Sequence, residues 1–497
     1  MGIRPTTALA FDLGATSGRA ILGTLADGRL SISEIHRFPN EPVQTAHGLR
    51  WNSQALRQAL ERGLALAGEY TARLDSVGVD TWGVDYALLD QNGELLAEPY
   101  HYRDPRTDGI MDPLVNKVGK FWIYSLTGIQ FMQINTLYQL HAHVTQEPEL
   151  FQRASVLLTM PDLLNYWLTG LTVSEYTNAT TTQMVDCRTR WWSSPLIEAA
   201  GIPPHIAPKM VSPGTDLGAL IESLKRIGSH LTCTRVIAPA CHDTGSAVAA
   251  VRASGSTAFL SSGTWSLLGT EIRQAVLSDA AMQLNFTNEG GVNGTVRLLK
   301  NITGLWLLEG CMRDWAKQGL TLNYNSIVEA ARNAPAFRCF IDPDNALFLH
   351  PKSMTAAIVK YCRQNGQSAP TTPGEFARAV LEGLALKYRT VLEQLETLTG
   401  TRFTEIRVIG GGSDNNLLNE FTANATGRRV IAGPKEATAL GNLIVQLAGA
   451  GAIESIDEGR DLISRCFEPR IFTSQQDWSA AYNSFQQILC QPKPIAT

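Results

Sequence analysis

The segment from Ala8 to Leu22 reads ALAFDLGATSGRAIL: an apolar strand, an aspartate, a glycine turn with two hydroxyls, and a second apolar strand. The two glycines leave backbone N–H groups unobstructed, and Thr16 and Ser17 add hydroxyl donors, so the turn suits a phosphate chain. Asp12, at the end of the first strand, can face a phosphate-bound Mg²⁺ directly or through water. No Gly-Lys-Ser/Thr closes the turn, and a strand follows it, so it is not a P-loop.

A second copy of this pattern occurs at Thr257 to Thr270, which reads TAFLSSGTWSLLGT. The separation of about 250 residues is far longer than a solenoid repeat, so it indicates duplication of one domain. A chain of 497 residues is also too long for a single hydrophobic core. We therefore predict two domains, 1–250 and 251–497.

Composition excludes several classes of function. The formal net charge of −4 gives no electrostatic reason to expect nucleic acid or an anionic membrane as a partner. The eight cysteines form no Cys-x-x-Cys pair, which argues against a zinc ribbon or a redox dithiol. The first residues show no charged and apolar leader, so we expect a cytoplasmic protein with reduced thiols.

Periodicity elsewhere predicts a mixed α/β protein, unlike a TIM barrel or a Rossmann half. Residues 8–35 read as a three-strand meander, Ser53 as the cap of a helix, and Ser76 to Asp90 as a strand. Late in the chain, a long helix from Pro373 ends at Gly400, and a strand then leads into Gly410-Gly411-Gly412 before another helix. Such glycines either face a ligand or serve helix packing.

The two glycine-hydroxyl turns, the glycine triplet and His242-Asp243-Thr244 between the halves resemble the FGGY carbohydrate kinases over nearly the whole chain. Further runs resemble in particular the members that act on L-rhamnulose. These runs are DTWGVDYALLD (80–90), YRDPRTDG (102–109), EYTNATTTQ (175–183), LSSGTWSLLG (260–269), TNEGG (287–291) and LKNITGLWLLE (299–309).

The resemblance implies an α/β fold of two actin-like (ribonuclease H-like) ATPase domains with a central cleft. ATP, Mg²⁺ and the sugar would meet there, and the γ-phosphoryl group would pass to the C1 hydroxyl of L-rhamnulose in L-rhamnose degradation. The N-terminal domain would supply the sugar side and the first phosphate turn, and the C-terminal domain would supply the nucleotide side.

Site residues follow from the resemblance position by position. The residues expected to bind ATP are Ala15, Thr16, Ser17, Gly18, Arg19, Thr264, Glu309 and Gly411. Those expected to bind the sugar are Gly83, His242, Asp243, Thr244 and Asn301. Asp243 would be the general base, and Asp12 would lie near the metal, through water. Glu309 departs from the family, where glutamine is typical, and it places a negative charge at a position expected to contact the nucleotide.

A carboxylate is the expected helper for a sugar hydroxyl, which is a poor nucleophile and must lose its proton. Structural alternatives nevertheless remain open. Asp243 or Thr244 can be a helix N-cap, and Asp12 a turn former. The cluster of Asp80, Asp85, Arg103, Asp104 and Arg106 can position sugar hydroxyls or form a salt-bridged loop, and residues 177–182 can be a sheet edge or a hydroxyl-rich wall of the sugar site.

Two rival functions remain. A kinase of the same fold for L-fuculose, L-xylulose or glycerol would keep both phosphate turns and Asp243. A non-catalytic sugar sensor or an actin-like ATPase belongs to another class, and the aspartate at position 243 favours catalysis over both.

Overall fold

The computed structural model describes residues 4–349 and 351–490. Residues 1–3, which contribute to the expectation of no leader, lie outside the described residues. The described chain packs as two compact units. The first contains the chain up to Arg252, with Glu271–Leu298 and Ala437–Phe467, and the second contains Ala253–Thr270, Leu299–Glu436 and the chain from Glu468.

The strands of the described chain follow in sequence order. Up to residue 250 they are β1 (Thr6–Leu13), β2 (Ser17–Ala26), β3 (Arg29–Pro39), β4 (Val43–Thr45), β5 (Gly48–Arg50), β6 (Ser76–Thr81), β7 (Tyr86–Leu89), β8 (Val156–Thr159), β9 (Val173–Glu175), β10 (Val185–Asp186), β11 (Trp191–Trp192), β12 (Lys209–Val211), β13 (Asp216–Ala219) and β14 (Arg235–Ile237). Beyond it they are β15 (Thr257–Ser262), β16 (Trp265–Ile272), β17 (Thr287–Gly290), β18 (Val296–Thr303), β19 (Glu405–Ile409), β20 (Arg429–Ala432) and β21 (Arg470–Phe472).

The α-helices are given in the same way. Up to residue 250 they are α1 (Ser53–Ala67), α2 (Met111–Val118), α3 (Lys120–Thr127), α4 (Thr136–Gln146), α5 (Pro148–Arg153), α6 (Met160–Thr169), α7 (Tyr176–Ala179), α8 (Ser194–Ala199), α9 (Glu222–Lys225) and α10 (Asp243–Ala249). Beyond it they are α11 (Asp279–Gln283), α12 (Trp306–Lys317), α13 (Tyr324–Asn333), α14 (Met354–Gln364), α15 (Pro373–Thr399), α16 (Asn416–Thr426), α17 (Ala437–Gly449), α18 (Ile456–Cys466) and α19 (Ser479–Leu489).

The main sheets of the two units share one topology. In the first unit the strand order is β13-β14-β6-β1-β2-β3, with β1 antiparallel to β2 and parallel to β6. In the second unit the order β21-β20-β19-β15-β16-β18 corresponds to it, with β15 antiparallel to β16 and parallel to β19. The outer pairs also agree, since β14 and β20 run parallel to their inner neighbours and β13 and β21 antiparallel. Both units thus have the sheet topology that the predicted duplication implies.

Strand β1 is buried on both faces of the first sheet. Leu9 and Phe11 belong to a core cluster that also contains Leu60 of α1, whereas Ala8 and Ala10 pack against Leu443 of α17. Successive side chains of a strand point to opposite faces, so this strand reads as a continuous apolar run. The small alanines allow α17 to lie close to the sheet.

Helix α17 comes late in the sequence yet packs in the first unit. Polar side chains join it to the sheet: Gln446 Nε2 donates to the Leu9 carbonyl (3.1 Å), and Ser76 Oγ donates to Gln446 Oε1 (2.8 Å). The units therefore differ from a single cut at residue 250, because 271–298 and 437–467 pack with the first unit. The assignment of a sugar half and a nucleotide half stays a prediction.

Several predicted boundaries need correction. The expected strand from Ser76 to Asp90 is broken into β6 and β7, because the backbone turns at residues 82–85. Asn52, not Ser53, is the N-cap of α1, and its side chain accepts from the Ala55 N–H. The long helix α15 does begin at Pro373 and end at Gly400, whose left-handed conformation (φ 66°) stops it.

Two further features concern the cysteines and the helices. The eight cysteines are free thiols. Across the described ranges, none of the helices combines the length and the apolarity that crossing a membrane requires.

Replacing Gln446 by leucine tests how α17 is fixed. The change leaves the Leu9 carbonyl and the Ser76 hydroxyl without their buried partner, so we expect the free energy of unfolding of the first unit to fall by about 2 kcal/mol. Urea denaturation followed by circular dichroism measures it. The matched control is Gln58→Leu on the exposed face of α1, and equal midpoints for the two variants would contradict the expectation.

Candidate active site

The segment Cys241–Asp243 lies beside the end of β6. Thr81 N–H donates to the Cys241 carbonyl (2.9 Å), and Thr81 and His242 form a parallel bridge. On its other side, Cys241 N–H donates to Glu175 Oε2 (2.9 Å) and His242 N–H donates to Thr177 Oγ1 (3.2 Å). The backbone N–H groups of Cys241 and His242 thus each have a buried partner that fixes the course of this segment.

The two carboxylate oxygens of Asp243 have different surroundings. Oδ1 accepts from the Thr244 backbone N–H and from Thr244 Oγ1 (3.2 Å), and it lies 3.3 Å from His242 Nε2. No described residue donates a hydrogen bond to Oδ2, and the side chain is 32% exposed. Burial raises the pKa of Asp243, and the Asp12 carboxylate adds to the rise, whereas His242 opposes it. One oxygen is therefore held and the other is free to accept a proton.

The N-cap alternative for this segment is corrected by the structure. His242, not Asp243 or Thr244, occupies the N-cap position, and Asp243 is the first residue of α10. A carboxylate in the first turn of a helix is stabilised by the backbone N–H dipoles.

Asp12 and Asp80 are register partners on the neighbouring parallel strands β1 and β6. Asp12 is buried and pairs with Arg19 Nη2 (2.5 Å), so a residue predicted to bind ATP contacts the residue predicted to lie near the metal. Asp80 Oδ2 accepts from Asn442 Nδ2 (2.6 Å), whereas its buried Oδ1 has no hydrogen bond. Burial raises the pKa of Asp80 well above its ordinary value, and Asp12 adds to the rise.

The structure excludes one of the two alternatives for residues 177–182, here called the threonine run. It forms α7 and a 3₁₀ turn at Thr180–Thr182, not a sheet edge, and it is buried. Its hydroxyls accept from backbone N–H groups of three other segments: Thr177 from His242 (3.2 Å), Thr180 from Gly290 (2.9 Å) and Thr181 from Val84 (3.1 Å). The run therefore positions the segments that carry Gly83 and His242, two of the predicted sugar residues.

The break between β6 and β7 places Gly83 beside Thr181. A Cβ at Gly83 would lie 2.9 Å from Thr181 Oγ1, so only glycine fits there. Val84 has φ +68°, which is rare for a β-branched residue, and its carbonyl accepts from Thr136 Oγ1 (2.6 Å) and Gln139 Nε2 (3.2 Å). These hydrogen bonds hold a strained backbone next to a predicted sugar contact.

Asp85 belongs to the framework of this loop. It is fully buried, and Oδ2 accepts from Trp51 Nε1 (2.6 Å), Trp82 Nε1 (3.0 Å) and the Tyr102 backbone N–H (3.2 Å). Burial raises its pKa to about 6 despite these donors. For Asp85, the structure favours the salt-bridged or hydrogen-bonded loop over direct contact with the sugar. Trp82 is likewise a core residue.

In the second unit, the Gly263-Thr264 turn joins β15 to β16 and contacts the start of α12. Leu305 N–H donates to the Gly263 carbonyl (2.9 Å), and Trp306 N–H donates to the Thr264 carbonyl (3.2 Å). Thr264 Oγ1 donates to Glu309 Oε1 (3.2 Å), so two residues predicted to bind ATP lie together. Asn301 lies half-buried on β18 in the same unit.

The glycine triplet after β19 combines two structural roles with one exposed position. Gly410 has φ +82°, and a Cβ at Gly412 would lie 2.1 Å from Ser262 Oγ. Gly411 is exposed, and a Cβ there would meet nothing within 4 Å. Packing therefore explains Gly412 and backbone conformation explains Gly410, whereas Gly411 leaves room for a ligand. A 3₁₀ turn at Gly411–Asp414 precedes α16.

Sequence reasoning assigned no role to Glu175, Glu289 or Arg297. The first two lie inside runs that the resemblance identified, but nothing in those runs distinguishes a buried carboxylate from an exposed one. Arg297 is 0% exposed within β18. One sequence feature could have identified Arg297: it is a charged residue inside the apolar stretch Val296–Leu299, where a strand buried on both faces leaves no exposed position.

The described residues contain no group of three or more His, Cys, Asp or Glu side chains arranged to hold a metal ion. Asp12 and Asp80 thus offer carboxylate oxygens without a complete protein ligand set. This donor set fits Mg²⁺, which usually keeps several waters and takes one or two carboxylates plus substrate phosphates.

Two family profiles cover most of the chain. The N-terminal domain of the FGGY family of carbohydrate kinases matches residues 7–249, and the C-terminal domain of the same family matches residues 258–450.

Curated relatives match over nearly full length. The chain is 43% identical to a rhamnulokinase from Bacteroides thetaiotaomicron, over 97% of this chain and 99% of that protein. It is 41% identical to a rhamnulokinase from Halalkalibacterium halodurans, over 94% of this chain and 98% of that protein.

Solved structures share the fold at low sequence identity. Xylulose kinase from Lactobacillus acidophilus superposes with a TM-score of 0.80 at 16% identity, covering 97% of this chain and 96% of that one. Plasmodium falciparum glycerol kinase with ADP gives 0.77 at 15% identity, covering 97% of each chain. The fold is the actin-like, two-domain α/β fold.

The pH dependence of stability tests the role of Glu175. Burial raises its pKa to about 7 from an ordinary 4.5, although Thr177, Asn178 and Cys241 donate to it. The folded protein therefore binds this proton more readily than the unfolded chain, and the resulting stability is fully present below 4.5 and lost as pH rises through 7. We expect the unfolding free energy of wild type, minus that of Glu175→Gln, to increase as pH falls from 8 to 5.5.

Urea denaturation of both proteins at pH 8, 7, 6 and 5.5 measures this difference. Glu69→Gln, at an exposed position after α1, is the matched control. A difference between wild type and Glu175→Gln that stays constant over this range would show that Glu175 does not titrate there.

Proposed function

Because this chain belongs to the FGGY family of carbohydrate kinases, we propose that it transfers the γ-phosphoryl group of ATP to the C1 hydroxyl of L-rhamnulose. The product is L-rhamnulose 1-phosphate, an intermediate of L-rhamnose degradation. The choice of sugar is supported by the curated rhamnulokinases, which are 39–43% identical over at least 93% of this chain. The single observation that carries the chemistry is the Asp243 carboxylate, with Oδ1 held and Oδ2 free.

Asp243 acts as the general base. As the C1 oxygen forms its bond to the γ-phosphorus and the bond from that phosphorus to the β-phosphate oxygen breaks, the proton of the C1 hydroxyl passes to Asp243 Oδ2 and ADP leaves. The transition state of phosphoryl transfer is loose and the proton departs late, so the carboxylate needs good alignment more than a high pKa. The donors on Oδ1 supply that alignment.

Gly83, His242, Thr244 and Asn301 bind the sugar in this proposal. His242 and Thr244 flank the base, and the backbone at Gly83 is fixed by Thr181 and by the hydrogen bonds of Val84. Hydroxyl groups of a ketose need donors and acceptors at set positions, and a backbone held on several sides provides them without reorganisation.

The residues proposed to bind ATP are Ala15, Thr16, Ser17, Gly18, Arg19, Thr264, Glu309 and Gly411. The two turns present exposed or half-buried backbone at equivalent places in the duplicated sheets. Gly411 allows close approach because nothing fills the space that a side chain would occupy.

Mg²⁺ is the proposed metal, with Asp12 as its nearest carboxylate, through water. When bound with ATP, it neutralises charge on the transferring phosphoryl group. Arg19 balances the charge of Asp12 and keeps its carboxylate in place.

We place the protein in the cytoplasm, where its substrate ATP is made and where free thiols persist. The eight free cysteines support this location. We also propose that residues 1–250 supply the sugar side with the first phosphate turn, and that 251–497 supply the nucleotide side.

A substrate panel tests the proposal. Purified protein with Mg-ATP should release ADP rapidly with L-rhamnulose, and slowly with L-fuculose, L-xylulose, glycerol or no sugar. Asp243→Asn removes the proton acceptor and should lower kcat by about 10² or more. Asp27→Asn, in the exposed hairpin after β2, is the matched control and should leave kcat unchanged.

Each alternative has its own signature in this panel. Fast turnover with another sugar would reassign the substrate, and fast ADP release without sugar would make the protein an ATPase. No turnover with any sugar would favour a sensor.

Glu309→Gln tests the departure from the family. A carboxylate repels a polyanionic nucleotide, whereas the amide keeps an acceptor for Thr264 Oγ1. We expect KM for ATP to fall about threefold with kcat unchanged, as removal of one screened repulsion predicts. Steady-state kinetics at saturating sugar measure it, with Glu329→Gln on the exposed side of α13 as control. A rise in KM would mean that the carboxylate favours nucleotide binding.

A further inference from the structure

A charged pair lies buried behind His242. Arg297 is 0% exposed, and its Nη1 lies 3.1 Å from Glu289 Oε2. Arg297 Nε donates to the Gly290 carbonyl (2.8 Å), and the Gly290 N–H is itself held by Thr180. The guanidinium is therefore fixed by strands β17 and β18 and by the threonine run.

Arg297 also contacts the imidazole directly. Its Nη2 lies 3.1 Å from His242 Nδ1. A guanidinium has donors and no acceptor, so in this contact Nδ1 must accept. A neutral imidazole that accepts at Nδ1 carries its proton on Nε2. That nitrogen lies 3.3 Å from Asp243 Oδ1.

Glu289 offers the ring a competing arrangement. Its Oε2 lies 3.4 Å from His242 Nδ1, so a proton on Nδ1 would have an acceptor there. Among residues 4–349 and 351–490, the charged groups that face the ring are thus Asp243 from α10, Glu289 from β17 and Arg297 from β18. With the guanidinium in place, its charge and its N–H oppose a proton on Nδ1.

We propose that Arg297 is a positioning residue that holds His242 with its proton on Nε2, so that the ring donates to Asp243 Oδ1 and leaves Oδ2 to the sugar hydroxyl. The proposal rests on the assignment of Asp243 as the base. It adds a residue, well removed from solvent, that acts on the reaction only through His242.

Loss of the Arg297 guanidinium should change the pH dependence of kcat in a predictable direction. It removes a positive charge beside Nδ1 and leaves the Glu289 carboxylate without its ion-pair partner. Both changes favour a second proton on the ring as pH falls. An imidazolium beside Asp243 makes the carboxylate a poorer proton acceptor, so the defect should grow in acid.

Kinetics of Arg297 variants test this coupling. Relative to wild type, we expect Arg297→Met to lower kcat by about 10²-fold at pH 6.5 and by about 10-fold at pH 8.5. Arg297→Lys keeps a charge and a donor, and its kcat should fall by the same small factor at both pH values. Adding Glu289→Gln to Arg297→Met should remove the pH dependence. Arg190→Met, an exposed arginine that donates to the Gly294 carbonyl (2.7 Å), is the matched control.

A merely structural role gives a different pattern. In that case Arg297→Met and Arg297→Lys would lower kcat by factors that do not depend on pH, in step with their loss of thermal stability. That result would overturn the proposal.

The tautomer itself can be measured in the wild-type protein, whether or not Arg297→Met folds. Long-range ¹H–¹⁵N correlation, with the ring of His242 assigned from its loss in His242→Gln, should show the proton on Nε2 and none on Nδ1 at pH 7.5. A proton on Nδ1 would overturn the proposal. This readout does not depend on which sugar is phosphorylated, so failure of the substrate assignment remains distinguishable.

Discussion

The candidate site depends on the buried carboxylate of Glu175, which collects donors from two separate segments. It accepts from Thr177 and Asn178 at the start of α7 and from the Cys241 backbone just before the base. Desolvating a carboxylate is costly unless its lone pairs are satisfied, so this arrangement strongly disfavours other courses of the chain around it. The threonine run extends the same principle, since its hydroxyls hold Val84, His242 and Gly290. Buried acceptors thus fix the loops of the first unit before any ligand binds.

The two units share the same turn between two strands, but the side chains beside that turn differ. The same strand-turn-strand element lies in the middle of each main sheet, but only the first copy carries an aspartate before its turn, at position 12. The second copy places Thr264 against Glu309 instead. A shared backbone plan thus provides two turns with open N–H groups, and the side chains at their ends give each turn a distinct role.

Local pattern was enough to predict the central strands, the long helix α15 and the duplication, because apolar periodicity and glycine turns record them in sequence. The resemblance supplied the site residues, and the structure places Asp243 at the start of α10, Asn301 on β18 and Glu309 in α12. Features that depend on contacts between residues distant in sequence could not be predicted. Examples are the break between β6 and β7 at Val84, which Thr136 and Gln139 hold, and the packing of α17 on Ala8 and Ala10. Arg297 was missed for the same reason: its partners Glu289 and His242 approach it only in three dimensions.

The place of α17 in the chain has a consequence for synthesis. The face of β1 formed by Ala8 and Ala10 is covered by Leu443, which leaves the ribosome more than four hundred residues later. Until then, the nascent first sheet exposes an apolar face and the Ser76 hydroxyl lacks its Gln446 partner. Domains usually fold from the N-terminus as they emerge, but this one must wait for almost the whole chain. During translation, the uncovered face of β1 is therefore the kind of apolar surface to which chaperones bind.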